Sequence, residues 1–215
     1  MLQLTRWDDP LLSERMPEID AFNDETVRLA NDLIAAMWRE GGIGLAANQV
    51  GVRARLFTVR SSPNLACFNP RIIDQSREEI ELEEGCLTYP GVVVKVKRPK
   101  VVKVRFQTPT GQTSNMTLDG IGSRIFQHEL DHLNGLSLLS RLTRLSRDVA
   151  QRRWQKILKR TGNQPYGPAR PGEPPSYRLR LRDPEPEIKI LSNEPAKKFD
   201  FQPTQVPDFI TIKTG

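Results

Sequence analysis

Gln127-His128-Glu129-Leu130-Asp131-His132-Leu133-Asn134-Gly135 holds both histidines of the 215-residue chain, four residues apart, with a glutamate beside the first. On a helix, positions i and i+4 lie on one face, so the two imidazoles can reach a single point. That is how a helix holds a metal ion, and the glutamate then stands where it can act as a base on water at the metal. The plainer alternative is a chance pattern on a packing helix, since the stretch shows no third ligand of its own. A helix is expected either way. Asp119-Gly120 supplies its start and Gly135 its stop. Ile121, Ile125, His128 and His132 share one face, with Phe126, Leu130 and Leu133 beside them toward a core.

Upstream of this helix the chain reads mostly as strand. Segments 56–59 and 71–74 are short and β-branched, and in 76–84 Ile80 and Leu82 alternate with acids as in a half-exposed strand. Segments 92–96 and 101–106, with Arg98-Pro99-Lys100 between them, read as a hairpin, and Thr108-Pro109-Thr110-Gly111 turns into a further strand over 113–118. Nearer the start, Asn23 followed by Asp24 and Glu25 opens a helix over 24–40. Its Val27, Ala30, Leu33, Ile34, Met37 and Trp38 recur at helical spacing until Gly41-Gly42. The first twenty residues form an extended arm with one short turn. Downstream, Val149, Ala150, Trp154, Ile157 and Leu158 predict a helix over 146–160. The expected fold class is α+β: antiparallel or mixed β-sheets around a central metal-binding helix, with an N-terminal amphipathic helix and a C-terminal basic helix.

Composition divides the chain. Ten of its seventeen prolines lie between Pro165 and Pro207, a density that argues against a packed core. Residues 1–160 are therefore expected to form the catalytic domain, and 161–215 a mostly irregular proline-rich extension with short periodic pieces near 177–181 and 188–191. The net charge of +6 is also local: residues 141–160 carry eight Arg or Lys against Asp148 alone, which is +7. No apolar run approaches membrane-spanning length, and the first residues lack the basic-then-apolar layout of a signal peptide. An intracellular protein is expected, cytoplasmic or in an organellar matrix, with no membrane partner and with Cys67 and Cys86 as free thiols.

Cys86 is the candidate for a third ligand. It sits in the turn Gly85-Cys86-Leu87-Thr88-Tyr89-Pro90-Gly91, and a thiolate with two imidazoles would leave one position open, the pattern of a catalytic site. A lone cysteine is otherwise a small buried hydrophobe, the reading adopted for Cys67. A further segment, Gly42-Ile43-Gly44-Leu45-Ala46-Ala47-Asn48-Gln49-Val50-Gly51, keeps its side chains small, so another backbone can approach; its spacing matches no phosphate loop. Gln49 there needs a partner if buried.

Together, Gly42-Ile43-Gly44-Leu45-Ala46-Ala47-Asn48-Gln49, Glu84-Gly85-Cys86-Leu87-Thr88 and Gln127-His128-Glu129-Leu130-Asp131-His132 resemble the three signature motifs of peptide deformylase, in order, within residues 5–160. Asn48 stands where the family usually has proline, and Thr88 where serine is usual. The resemblance implies that Cys86, His128 and His132 bind one divalent metal, with Fe(II) favoured and Zn or Ni able to take its place. It also implies that Glu129 takes a proton from water at the metal, and that the Gln49 amide and the Leu87 backbone N–H meet the oxyanion. Formate then leaves the formyl-methionine of a nascent peptide. Ile43 and Gly44 would pair with substrate backbone, and its Met side chain would enter a pocket near Ile125 and His128, bordered by Ile43 and Leu87. Arg124 would lie at the rim, and Glu84 and Asp131 would orient ligands. The basic helix 146–160 would dock on ribosomal RNA near the peptide exit. Two rivals stand beside this reading. A zinc metallopeptidase usually finds its third ligand after the helix, where no further His occurs here. The other is a ribosome- or RNA-binding module with a vestigial metal site.

Overall fold

Asn23 caps the first helix, α1 (Asp24–Arg39): its side chain accepts from the Glu25 and Thr26 N–H groups, and the Thr26 hydroxyl accepts from Asn23 N in return. Such a cap contributes about 1 kcal/mol. These residues belong to the segment 2–162 described by a computed structural model; nearly all of the proline-rich extension, including both short periodic pieces, lies outside the described residues. The buried stripe of α1 is Ala30, Leu33, Ala36 and Met37. Val27 and Trp38, expected in that stripe, are over a third exposed. At 100° per residue both project from one flank of it, where Trp38 instead lies under the Arg60 guanidinium, 3.6 Å from its ring centroid.

The described residues form seven strands, all paired antiparallel; six cover the expected segments, and the first, in the glycine-rich stretch, is additional. They are β1 (Gly44–Ala46), β2 (Leu56–Val59), β3 (Leu65–Gln75), β4 (Glu79–Gly85), β5 (Val93–Pro99), β6 (Val102–Gln107) and β7 (Thr113–Leu118). One sheet runs β1-β2-β3-β6-β7 and the other is the ribbon β4-β5, so β1 is an edge strand. The mixed alternative is not realised, and neither is the hairpin expected around Arg98-Pro99-Lys100. β5 pairs with β4 along its whole length, from Gly85↔Val93 to Glu79↔Pro99, whereas β6 lies between β3 and β7. The three residues carry the chain from one sheet to the other. Lys100 N–H donates to Glu78 O, and Ser76 N–H to Val101 O, so the crossing point keeps its backbone hydrogen bonds.

The central helix, α2 (Gly120–Leu133), is capped by Asp119 and buried from Gly122 to its end. Its Phe126 meets Phe57 of β2 edge-to-face at 4.9 Å, and Ile125, Leu130 and Leu133 join Phe57, Val104 and Phe106 in one core. Each such side chain contributes about 1.5–3 kcal/mol through burial. Gly135 ends the helix at φ 72°, and a Cβ there would stand 2.5 Å from Ser13 O. The stop is thus also where the N-terminal arm crosses, after its short 3-10 turn at Pro10–Ser13.

The basic helix, α3 (Arg144–Arg160), starts two residues earlier than expected because the Thr143 hydroxyl caps it by accepting from Ser146 N–H. It buries Ala150, Trp154 and Leu158, while Val149, expected beside them, is 57% exposed. Trp154 packs edge-on against Trp7 at 6.0 Å and Tyr89 at 5.5 Å, in the core cluster that also holds Cys86. The last helix therefore braces the turn carrying the cysteine.

Candidate metal centre

The ligating atoms of Cys86, His128 and His132 all lie within 4.8 Å of one another, which no spacing in the sequence required of Cys86. The i, i+4 relation on α2 brings the imidazoles to 5.1 Å between ring centroids, and Cys86 Sγ lies 3.2 Å from His132 Nε2. His128 Nδ1 stands 2.9 Å from Glu84 Oε2. A carboxylate only accepts, so Nδ1 carries the proton and Nε2 keeps its lone pair for a cation.

Charge couples the cysteine to the histidines. Burial opposes charge on His128, but Cys86 and Glu84 outweigh it and hold its imidazole well above the usual value, so a cation binding there displaces a proton. Burial resists ionisation of Cys86, but His132 and His128 outweigh it and hold the thiol well below its usual value. Burial likewise opposes charge on Glu84, and His128 with Arg98 holds it far below the ordinary carboxylate range. A thiolate and two imidazoles, converging from a rigid helix and a braced turn, fit a divalent transition metal with three protein ligands.

Glu129 is 4% exposed, and its Oε2 is buried without a hydrogen-bond partner among the described residues. Burial pushes its carboxyl up to about 7, against the opposing pull of His128 and His132. Gly44 lies against it: a Cβ there would stand 2.8 Å from Glu129 Cδ, so this glycine is required by close approach. Gln49 is 3% exposed and fully oriented. Ala46 N–H donates to its Oε1 at 2.9 Å, which turns Nε2 toward Thr88 Oγ1 at 3.1 Å and Cys86 Sγ at 3.7 Å. An N–H donor is thereby aimed beside the ligands. Leu87 follows Cys86 in the same turn, half-buried, with a methyl 3.0 Å from where a Cβ on Gly42 would stand. Ile125 is buried, and Ile43 packs against the same cluster.

Arg98 is the residue that the sequence reading passed over. It is 3% exposed and forks between Glu84, at 2.7 and 3.0 Å, and Asp131 at 2.7 Å. Arg141 donates to Asp131 from outside, at 2.8 Å through Nε. Arg124, expected at the rim, is buried instead, and donates to Glu84 Oε1, Val96 O and Ile80 O, each at 2.8 Å. Two buried acids adjoining the cluster of Cys86, His128 and His132 demand cationic partners. That demand was a signal for Arg98, which alternates inward with Val96 along β5.

Comparison with known proteins bears on the same residues. The polypeptide deformylase family profile matches residues 1–148. The chain belongs to the polypeptide deformylase family. Among relatives, the peptide deformylase of Thermotoga neapolitana is 37% identical over 161 residues, covering 74% of this chain and 98% of the relative. The crystal structure of the Plasmodium falciparum peptide deformylase superposes with a TM-score of 0.69 at 30% identity, over 74% of this chain and 97% of that one. That of the Thermus thermophilus enzyme gives 0.70 at 31% identity, over 74% and 96%. As a deformylase the protein is a metal-dependent hydrolase that removes the N-terminal formyl group from the formyl-methionine of newly synthesised proteins, releasing formate. The metallopeptidase and non-enzymatic readings fall with that.

Proposed function

We propose that Cys86, His128 and His132 hold the metal, that Glu129 is the acid-base, and that Gln49 and Leu87 stabilise the oxyanion. The observation that carries this reading is the convergence of three ligating atoms within 4.8 Å beside a buried carboxylate. Held by these three side chains, a divalent cation would supply Lewis acidity and lower the pKa of water at the site. Fe(II) is the ion favoured, and the donor set also suits zinc or nickel. Glu129, with a carboxyl near 7, accepts the proton of the attacking water and returns it to the leaving amine, the pKa match that serves both roles near neutrality. Gln49, its Oε1 tied to Ala46, presents Nε2–H to the oxyanion with the Leu87 N–H as second donor, each contributing about 3 kcal/mol. Ile43 and Gly44 lie at edge strand β1, where a peptide backbone can add as a further strand, and the substrate Met enters beside Ile125. This machinery belongs to a catalytic domain of residues 1–160, with 161–215 as an appendage. Protein purified without air is expected to carry one metal per chain and to release formate from a formyl-Met peptide, while Cys86→Ala carries none. A metal-free wild type, or a Cys86→Ala variant still fully loaded, removes the ligand assignment.

The nascent-chain substrate also motivates a docking role for α3 on ribosomal RNA near the peptide exit, in the cytoplasm. Arg152, Arg153, Lys156 and Lys159 are all exposed while Trp154 and Leu158 face the core, and no described helix is long and apolar enough to cross a membrane. Neutralising these four together is expected to weaken ribosome co-sedimentation with formate release intact. The slope of log affinity against log salt should flatten by about one for each phosphate no longer neutralised. Unchanged co-sedimentation retires the docking role.

A further inference from the structure

The end of α2 that carries His132 is held by three separate parts of the chain. Leu133 O accepts from Met16 N–H at 2.8 Å and from the Arg55 guanidinium at 3.2 Å. His132 O accepts from Gly135 N–H at 3.1 Å and from Asn48 Nδ2 at 2.7 Å. The Asn48 bond is unlike the others, because it ties α2 to the segment that bears Gln49. Asn48 has no exposure at all, and its Oδ1 is buried without a partner among the described residues. A core site that served packing alone would be better filled by an apolar side chain, since an unpaired buried amide oxygen costs about 1–3 kcal/mol. What this amide supplies is a donor at one defined point.

We propose that Asn48 is a positioning residue that keeps the Gln49 amide in register with the metal ligand His132. It touches neither substrate nor metal. It acts through two neighbours: its side chain fixes the backbone of His132, and its own backbone leads directly into Gln49. The turn is pinned at its other end by Thr5, whose N–H donates to Gln49 O at 2.8 Å. That second bond holds the turn to the N-terminal arm, whereas the Asn48 bond ties it to the C-terminal end of α2, at the backbone of His132 itself. Loss of the Asn48 donor therefore lets the oxyanion donor and the ligand drift apart without unfolding either element. The inference rests on the ligand assignment proposed above.

The test uses full-length protein loaded with zinc, comparing Asn48→Ala, which removes donor and orphaned oxygen together, with Asn48→Leu, which roughly keeps the volume and supplies no donor. Outer groups that orient ligands typically cost 10- to 100-fold in affinity or activity when removed. In Asn48→Ala, kcat is therefore expected to fall about 10-fold or more with KM within about twofold, and zinc to pass to a chromophoric chelator about 10-fold faster. A purely structural role would lower the melting temperature and leave kcat per folded chain and the zinc release rate unchanged. That result overturns the inference alone, as does Asn48→Leu matching the wild type in both readouts. A wild type that binds no zinc overturns the ligand assignment and this inference with it.

Discussion

Glu129→Gln is expected to remain folded and metal-loaded while kcat/KM for a formyl-Met peptide falls about a thousand- to ten-thousand-fold, the upper range for loss of a general acid-base. Glutamine keeps the shape of the side chain, so the close approach to Gly44 survives and the ligands have no reason to move. What it removes is, among the described residues, the buried carboxylate beside the candidate ligands that is not committed to a cation. Glu84 is committed to Arg98, Arg124 and His128, and Asp131 to Arg98 and Arg141, so neither can substitute. Measured together, formate release, metal content and melting temperature separate the possible causes. Loss of the metal along with the activity would make Glu129 a support for the ligands, and retention of more than about a tenth of the rate would remove it from the chemistry.

The parts of the fold that could be read in advance are those where one segment contains its own instructions. The helix bearing the histidines announced its cap, its buried face and its stop, and α1 its cap, because helical signals repeat within a few residues. The partner of a strand is not written locally. Segments 92–96 and 101–106 sit one turn apart and look like a hairpin, yet each pairs with a strand further off in the chain, β5 with β4 and β6 with β3 and β7. The same limit applied to the site. The spacing of His128 and His132 already put two imidazoles on one helix face, and a buried glutamine called for partners, which proved to be Ala46, Thr88 and Cys86. The partners of Arg98 and Asn48 could not be read from their neighbours, since the acceptors lie 14 to 84 residues away. Val149 and Trp38 misled for the opposite reason: helical spacing shows that a face exists, whereas the width of the buried stripe depends on what packs there.

Arg98→Met is expected to cost about 3–5 kcal/mol of stability, the penalty typical of removing one partner from a buried ion pair. Arg98 fills its place with three charge-assisted bonds to two carboxylates, and its side chain is 3% exposed against 4% and 6% for Glu84 and Asp131. Methionine replaces the volume but leaves both carboxylates short of donors where water cannot reach. Arg124 and Arg141 remain to share the load, which places the cost within that range and not above it. Arg141→Met tests the principle on the same acid. That side chain is 44% exposed, so solvent screens its charge and Asp131 keeps Arg98 as its buried partner; about 1 kcal/mol or less should be lost. Urea unfolding of both variants checks the contrast, with midpoints shifted and slopes unchanged if the native state keeps its compactness. Equal losses from the two substitutions would mean that burial does not govern this network. Because Glu84 also sets the proton on His128 Nδ1, Arg98→Met should further weaken zinc retention, by about 10-fold, even at temperatures where the variant is fully folded.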